Sequence, residues 1–312
     1  MRIDTSGPVG SDLFVVGPPG MPVYLVDGSM PVLFDAGMTV LAQCYVDEIR
    51  SILGKRAPAV LFLTHVHFDH VGAAAYFKKT WPELQIVAAE RSGEILARPG
   101  AIQLITALNA GSLAMAREEG FSPLFEQPFE RVDIDIVAAP DMRFDIGSGM
   151  TVQALHAPGH TRDFTSYWIE ARKILIASEA AGCDDGTGYI QPEFLVDYDV
   201  YMDNLSRLSL LPADILCPGH KLVLTDKDAG DHMRRSAECA RRYVSIVQTL
   251  LRASDGDIDR VTAQVKAEEW DPRPWPKQPE QAYLLNTRQR VSVIWECMGH
   301  TSLTQARRSN GR

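Results

Sequence analysis

Three histidines and an aspartate crowd into the stretch Leu61-Phe62-Leu63-Thr64-His65-Val66-His67-Phe68-Asp69-His70-Val71-Gly72. An apolar run with strand character ends at the first histidine, and a Gly-Ala-Ala-Ala helix start follows the last. Residues two apart on an extended segment project to the same side, so His65 and His67 can grip one ion together. Asp69 and His70, at the turn into the helix, can serve a second. Neutral imidazole and carboxylate suit zinc, iron or manganese, and a His-dominated set leaves coordination positions open for water and substrate. A lone histidine among apolar residues is usually a hydrogen-bonded core residue; four such donors at this spacing are poorly explained that way.

The same strand-then-polar arrangement recurs downstream. His160 in Ala157-Pro158-Gly159-His160-Thr161 and His220 in Cys217-Pro218-Gly219-His220 each follow a predicted strand, and Pro-Gly turns the backbone so that the imidazole projects from the strand end. Between them Ile174-Leu175-Ile176-Ala177-Ser178-Glu179 places a carboxylate at the end of another strand. Tyr189, in the glycine-loosened loop Asp185-Gly186-Thr187-Gly188-Tyr189, is a candidate catalytic donor to a carbonyl oxygen. Asp35, in Leu33-Phe34-Asp35-Ala36-Gly37, is placed to hold a ligand histidine by its outer nitrogen. Cys183 has no dedicated base to make it a catalytic thiol.

The elements that must carry these residues follow from periodicity. Strands are predicted at Leu13 to Val16, Pro22 to Val26, Val32 to Asp35, Ala59 to Leu63, Gln85 to Ala88, Val152 to His156, Thr165 to Ile169, Ile174 to Ala177 and Asp214 to Cys217. Arg172-Lys173 reads as a tight hairpin turn. Helices are predicted at Leu41 to Leu53, Gly72 to Lys79, Pro99 to Ala116 and Val200 to Leu210. From about Asp226 the sequence turns charge-rich and helix-forming, with helices at Asp231 to Arg252, Ile258 to Glu269 and Gln281 to Met298. The prolines of Asp271-Pro272-Arg273-Pro274-Trp275-Pro276 separate the last two. The uncharged Pro99 to Ala116 run carries Gln103, Thr106, Asn109 and Ser112 at every third position, so it reads as an amphipathic helix against protein rather than a membrane span. Its polar stripe fits a half-buried structural helix, a channel lining or a dimer seam.

His65-x-His67-x-Asp69-His70, then His160, Glu179 and His220, resemble in order and type the metal-binding motifs of the metallo-β-lactamase superfamily over roughly residues 11 to 225. The resemblance implies an α/β fold, a four-layer αββα sandwich, with a helical extension at the C-terminal end. It implies a catalytic domain over residues 1–225; the charge-rich helical character beyond it is read as a helical cap over 226–300, and the small polar and arginine residues after that as a disordered tail over 301–312. The resemblance implies two divalent metals, zinc first with iron or manganese as alternatives: His65, His67 and His160 on one, Asp69, His70 and His220 on the other, and the bridging carboxylate at Glu179. The family usually has aspartate at that position. The extra methylene of glutamate moves the carboxylate by about 1.5 Å, and Asp184 and Asp185 are nearby alternatives. Asp69 would add a general acid/base role to ligation.

The inserted helix, the Phe194-Leu195-Val196-Asp197-Tyr198-Asp199-x-Tyr201 segment and the helical C-terminal region look like the layout of PqsE-type acyl-CoA thioesterases. Trp270, Trp275, Tyr283 and Trp295 can then line an acyl pocket, or simply pack. Arg234, Arg235, Arg241 and Arg242 can meet phosphates, or form a solvated face. The expected substrate is a small-molecule thioester. A lactone, a persulfide oxidised by a mononuclear iron site, and a regulator acting through a protein partner are the alternatives.

With 40 acidic against 31 basic residues in 312, the net charge of −9 is a poor footprint for a polyanion, so nucleic acid is not an expected partner. Five scattered cysteines make neither a disulfide framework nor a thiolate zinc cluster. Met1 to Pro8 has no apolar secretory core, so the expected location is the cytoplasm.

Overall fold

The computed structural model describes residues 1–10, 12–273 and 277–299. Trp275 and the expected tail over 301–312 lie outside the described residues. β1 (Arg2–Ile3) opens the chain, and a seven-stranded sheet then forms in sequence order from β2 (Gly7–Gly10), β3 (Leu13–Val16), β4 (Val23–Val26), β5 (Val32–Phe34), β6 (Val60–Phe62), β7 (Gln85–Ala88) and β8 (Ile136–Val137). Strands β2 to β5 pair antiparallel, and β5 to β8 run parallel. Parallel neighbours need crossovers. Helix α1 (Ala42–Leu53) supplies the first, α2 (Phe68–Val71) and α3 (Ala74–Thr80) the second, and α4 (Glu90–Leu96) with α5 (Pro99–Glu118) the third.

The chain then enters a second sheet through β9 (Arg143–Asp145), β10 (Thr151–His156), β11 (Thr165–Ile169) and β12 (Ile174–Ile176). A small ribbon of β13 (Cys183–Asp184) and β14 (Ile190–Gln191) and helix α6 (Tyr198–Leu208) precede β15 (Ile215–Cys217) and β16 (Val223–Thr225). The order in this sheet is β1-β16-β15-β12-β11-β10-β9. Its first strand is therefore the N-terminal one: β1 pairs with β16, and the Met1 ammonium donates to the Thr225 carbonyl at 3.0 Å. Neither β1, β2 nor β16 is evident in the sequence, because each is short and mixed in polarity.

Alternation along the strands explains the layers. Val15, Val26, Phe34 and Phe62 of the first sheet meet Val152, Ala154, Tyr167 and Ile176 of the second. Phe62 and Tyr167 pack with centroids 5.1 Å apart, and the Tyr167 hydroxyl donates to the Leu63 carbonyl at the mouth of the His65 loop. The opposite face of the first sheet packs on Tyr45, Ile49, Phe77 and Ile105 of α1, α3 and α5. The opposite face of the second packs on α6 and on α7 (Lys227–Ala253), α8 (Ile258–Glu269) and α9 (Glu280–Cys297), through Leu205, Val247, Val261 and Val291. With helices on both outer faces, a strand such as β11 is buried along its whole length. The result is an αββα sandwich with C-terminal helices joined to its second outer layer.

One expected element differs at its start. The helix expected over Gly72 to Lys79 is α3, beginning at Ala74, and a separate short helix, α2, precedes it over Phe68–Val71, with the break at Gly72. A Cβ there would stand 2.5 Å from the Thr39 nitrogen and 2.6 Å from the Gly37 carbonyl, because the loop after β5 docks against the join. The Arg172-Lys173 turn does close a hairpin, since β11 and β12 pair antiparallel from Ile169 opposite Ile174; its connection is a 3-10 turn over Glu170–Arg172 ended by Lys173 in the left-handed region, φ 49°.

Candidate metal centre

The metal-ligand candidates stand just beyond strand ends or, for Asp69 and His70, in the short helix that follows β6. His65 and His67 follow β6, His70 lies in α2, His160 follows β10, Glu179 follows β12 and His220 follows β15. Glu179 is not the last residue of its strand; it sits in a 3-10 turn over Ser178–Ala181. Gly159 has φ 132°, and a Cβ there would meet the Tyr201 backbone at 2.6 Å, so glycine lets α6 close on the His160 loop. The Tyr24 hydroxyl donates to the Pro218 carbonyl at 2.6 Å and pins the loop that carries His220.

The side chains converge. One ligand atom each from His65, His67 and His160 lie within 4.8 Å of one another, and the same holds for Asp69, His70 and His220, and for His65, His70 and Glu179. His65 and Glu179, members of the group that links the two clusters, are 0% and 3% exposed; His67 and Asp69 are half-buried.

Which ring nitrogen faces inward follows from the outer partners. Asp35 accepts from His70 Nδ1 at 2.9 Å, so His70 Nε2 is the nitrogen that faces Glu179 Oε1, at 2.8 Å. The Gly20 carbonyl accepts from His220 Nδ1 at 2.8 Å, so its Nε2 is turned inward, 2.9 Å from the same oxygen. The Glu193 carbonyl accepts from His160 Nδ1, leaving Nε2 3.2 Å from His67 Nδ1. Thr64 Oγ1 commits its proton to Asp35 and accepts from His65 Nδ1 at 3.0 Å; His65 Nε2 is buried with no hydrogen-bond partner. A buried imidazole nitrogen without a partner, beside four further donor side chains converging on one floor, is costly unless a cation lies among them. A divalent metal fits this donor set: nitrogens 2.0–2.1 Å from one ion at the tetrahedral angle stand about 3.3 Å apart, close to the His67–His160 spacing.

Electrostatics divide the cluster in two. Burial, then the nearby His70 and His67, hold His65 well below the ordinary imidazole range. Burial and His67 push His160 down to about 3. For His70 burial is outweighed by Glu179 and Asp35 together, and its pKa is well raised. Glu179 is held well below the carboxylate range because His70 and His65 outweigh its burial. Carboxylates that favour an extra proton on His70 favour a divalent cation for the same reason.

The longer carboxylate at 179 has a specific accommodation. A Cβ on Gly219 would stand 2.2 Å from Glu179 Oε1, so the bare glycine backbone is the space the side chain occupies. Ser178 Oγ donates to Glu179 Oε2 at 2.6 Å. Asp184 and Asp185, the alternatives, border the same cavity but are engaged by arginines: Asp184 pairs with Arg2 at 3.1 Å, and Asp185 contacts Arg273.

Tyr189 is not brought to the cluster. Its hydroxyl donates to Glu269 Oε1 at 2.7 Å, and it is not among the residues bordering the cavity. The α7 arginines are also turned away: Arg234 pairs with Glu238, and Arg235 donates to the Gly188 carbonyl. Trp295 packs over Gly256, whereas Trp270 and Tyr283 border the cavity. Asp163 escaped notice in the sequence; it is 2% exposed, and its Oδ2 accepts from the Val66 nitrogen and Ser92 Oγ, holding the His65–His67 loop. Its one signal is a buried-type position three residues after His160.

The cluster floors a cavity of about 1140 Å³. Leu104, Ile105 and Leu108 of α5 supply one wall and Ala282, Tyr283 and Leu285 of α9 another. The polar stripe of α5 has a different use: Asn109 accepts from the Thr39 nitrogen at 2.9 Å and fixes the helix to the body. Among the described residues no helix is long and apolar enough to cross a membrane.

Residues 17–220 match the family model of the metallo-β-lactamase superfamily. The chain belongs to that superfamily. Its members typically bind divalent metals, often zinc, and are largely metal-dependent hydrolases. The chain is 25% identical over 208 residues to a beta-lactamase-like protein 2 homolog from Caenorhabditis elegans, an overlap of 66% of this chain and 57% of that protein. It is thus matched to little over half of that relative's length. Among solved structures, a metallo-β-lactamase family protein from Thermus thermophilus superposes with a TM-score of 0.64 at 14% identity, covering 92% of this chain and 93% of its own. An archaeal superfamily protein from Sulfolobus tokodaii gives 0.58 at 18% identity, covering 95% and 98%. A subclass B3 metallo-β-lactamase of Bradyrhizobium japonicum gives 0.55 at 19%, covering 79% and 94%. At these identities the likeness is one of fold.

Proposed function

We propose that the chain is a dinuclear metal hydrolase of acyl thioesters, with His65, His67 and His160 on one metal, Asp69, His70 and His220 on the other, and Glu179 between them. The observation that carries this reading is the pair of donor groups, linked through His65, His70 and Glu179, on the floor of a cavity with apolar walls. Bound divalent metals would supply Lewis acidity and hydroxide at neutral pH. The chain's own residues do the rest. Asp69, half-buried with Oδ2 3.7 Å from His220 Nε2, is placed to hold the proton of the attacking water and pass it to the leaving group. Asp35, Gly20 and the Glu193 carbonyl fix the ring orientations. The α5 and α9 walls hold an acyl chain and exclude water. Exposed Arg98 and Arg162 border the same cavity and suit an anionic coenzyme portion.

The test is a panel of acyl-CoA and simpler thioesters with freshly purified, metal-analysed protein, read as free thiol, beside acyl lactones read by acid release. Thiol release that disappears in His67→Ala supports the proposal. Lactone opening without thiol release moves the assignment to a lactonase. Oxygen uptake with a glutathione persulfide moves it to a dioxygenase, and rescue of a deletion strain by inactive His67→Ala protein moves it to a regulator.

A further inference from the structure

Cys183 opens β13, four residues past Glu179. Its sulfur, a Glu179 carboxylate oxygen and a His220 ring nitrogen all lie within 4.8 Å of one another. The chain reaches this place through Gly182, φ 71°, where a Cβ would meet Ile190 Cγ2 at 2.7 Å and Ser236 Oγ at 2.9 Å. Pairing of Cys183 with Gln191 across the ribbon then holds the thiol in register.

This cysteine differs from a packing one. Cys183 is half-buried and borders the cavity, whereas Cys217 is 0% exposed in the core between the sheets. The atoms it faces already point inward. His220 Nε2 is turned to the site because Nδ1 is committed to Gly20, and Glu179 Oε1, on a side chain 3% exposed, makes no well-aligned hydrogen bond, although His70 and His220 Nε2 stand 2.8 and 2.9 Å from it. A thiol there can donate one weak hydrogen bond, to the carboxylate or to the imidazole; a metal ion binds all three at once.

We propose that Cys183 is a thiolate ligand of the metal at the His70 and His220 position, sharing it with Glu179. Ligation breaks the S–H bond, the proton leaves to solvent and the sulfur pair bonds the metal. A soft thiolate biases that position toward zinc over manganese, and the other position, served by three imidazoles, has no such bias. The proposal rests on the dinuclear reading above and not on the thioester substrate.

The experiment loads wild type, Cys183→Ser and the exposed-thiol control Cys297→Ser with two equivalents of Co(II), counts bound cobalt and records the near-ultraviolet thiolate-to-cobalt charge-transfer band. The expected result is the band in wild type and Cys297→Ser and its loss in Cys183→Ser, with second-site affinity weakened at least tenfold. Two bound cobalts with the same spectrum and affinity in wild type and Cys183→Ser overturn the proposal while leaving the dinuclear reading intact. One bound cobalt and no band in wild type overturns both. If Cys183→Ser fails to fold, alkylation of wild-type Cys183 by iodoacetamide, mapped by peptide mass, decides. Metal slows it at least tenfold if the sulfur is a ligand, and equal rates with and without metal overturn the assignment.

Discussion

His65, His67 and His160 offer three imidazole nitrogens to one position, whereas Asp69, His70 and His220, with Glu179, offer two imidazoles and two carboxylates to the other. The first group is neutral by burial: His65 and His160 are both held below the ordinary range. The second is balanced by charge, with Asp35 behind His70 and Glu179 in front of it. Adjacent positions on one cavity floor are thus prepared by opposite means, exclusion of water for one and compensating carboxylates for the other. The first depends on packing; the second depends on a few named ion contacts and is the easier to unbalance.

The largest expected effect on that contrast is at Asp69. Asp69→Ala should lower turnover about 10²- to 10⁴-fold and empty the second position while the first keeps its metal, whereas His67→Ala should empty the first. Metal counts by mass spectrometry beside turnover check this, and equal loss of both metals in both variants would erase the distinction. Next is Asp35→Asn, which removes the charged acceptor behind His70. It should weaken the second metal about 10- to 100-fold, read by competition with a chromophoric chelator, with little change at the first.

Acid should separate the positions as well. A proton on His70 is favoured above the ordinary imidazole range, so it competes with the cation as pH falls through neutrality, while His160 stays neutral down to about 3. Dialysis at stepped pH from 8 to 5 should release the second metal first, and release of both at one pH would contradict this.

A smaller effect is expected of Gly219→Ala, whose Cβ would collide with Glu179 Oε1. It should destabilise the fold by about 1–3 kcal/mol in urea titration and weaken the second position only. The smallest is at Tyr189. Tyr189→Phe removes the bond to Glu269, and should cost about 1 kcal/mol with turnover unchanged; a hundredfold loss of rate would return Tyr189 to the reaction.

The histidines were legible because each follows an apolar strand that ends in a turn, a local pattern that types and spacing record. The strands β3 to β7 and β10 to β12 were legible for the same reason, through runs long enough to show their period. Residues Thr64 and Asp163 were not, since a polar residue near a strand end is unremarkable until its partner is known, and Asp163 meets Val66 across 97 positions. Tyr189 misled because a flexible-looking loop was read as reaching the site, while its hydroxyl partner, Glu269, lies 80 residues away.

The order His65, His67, Asp69, His70, His160, Glu179 and His220 carried the superfamily, the donor chemistry and the two-sheet frame, because ligand type and strand period are properties of short windows. The chain's folding settled the rest: which nitrogen of each ring turns inward, how a glutamate fits at 179, and which helices wall the cavity. Those depend on acceptors and neighbours brought from far along the chain, such as Asp35 to His70 over 35 residues and Gly20 to His220 over 200. A hydrogen bond acts over about 3 Å, so no window of sequence records a partner that packing alone brings within reach.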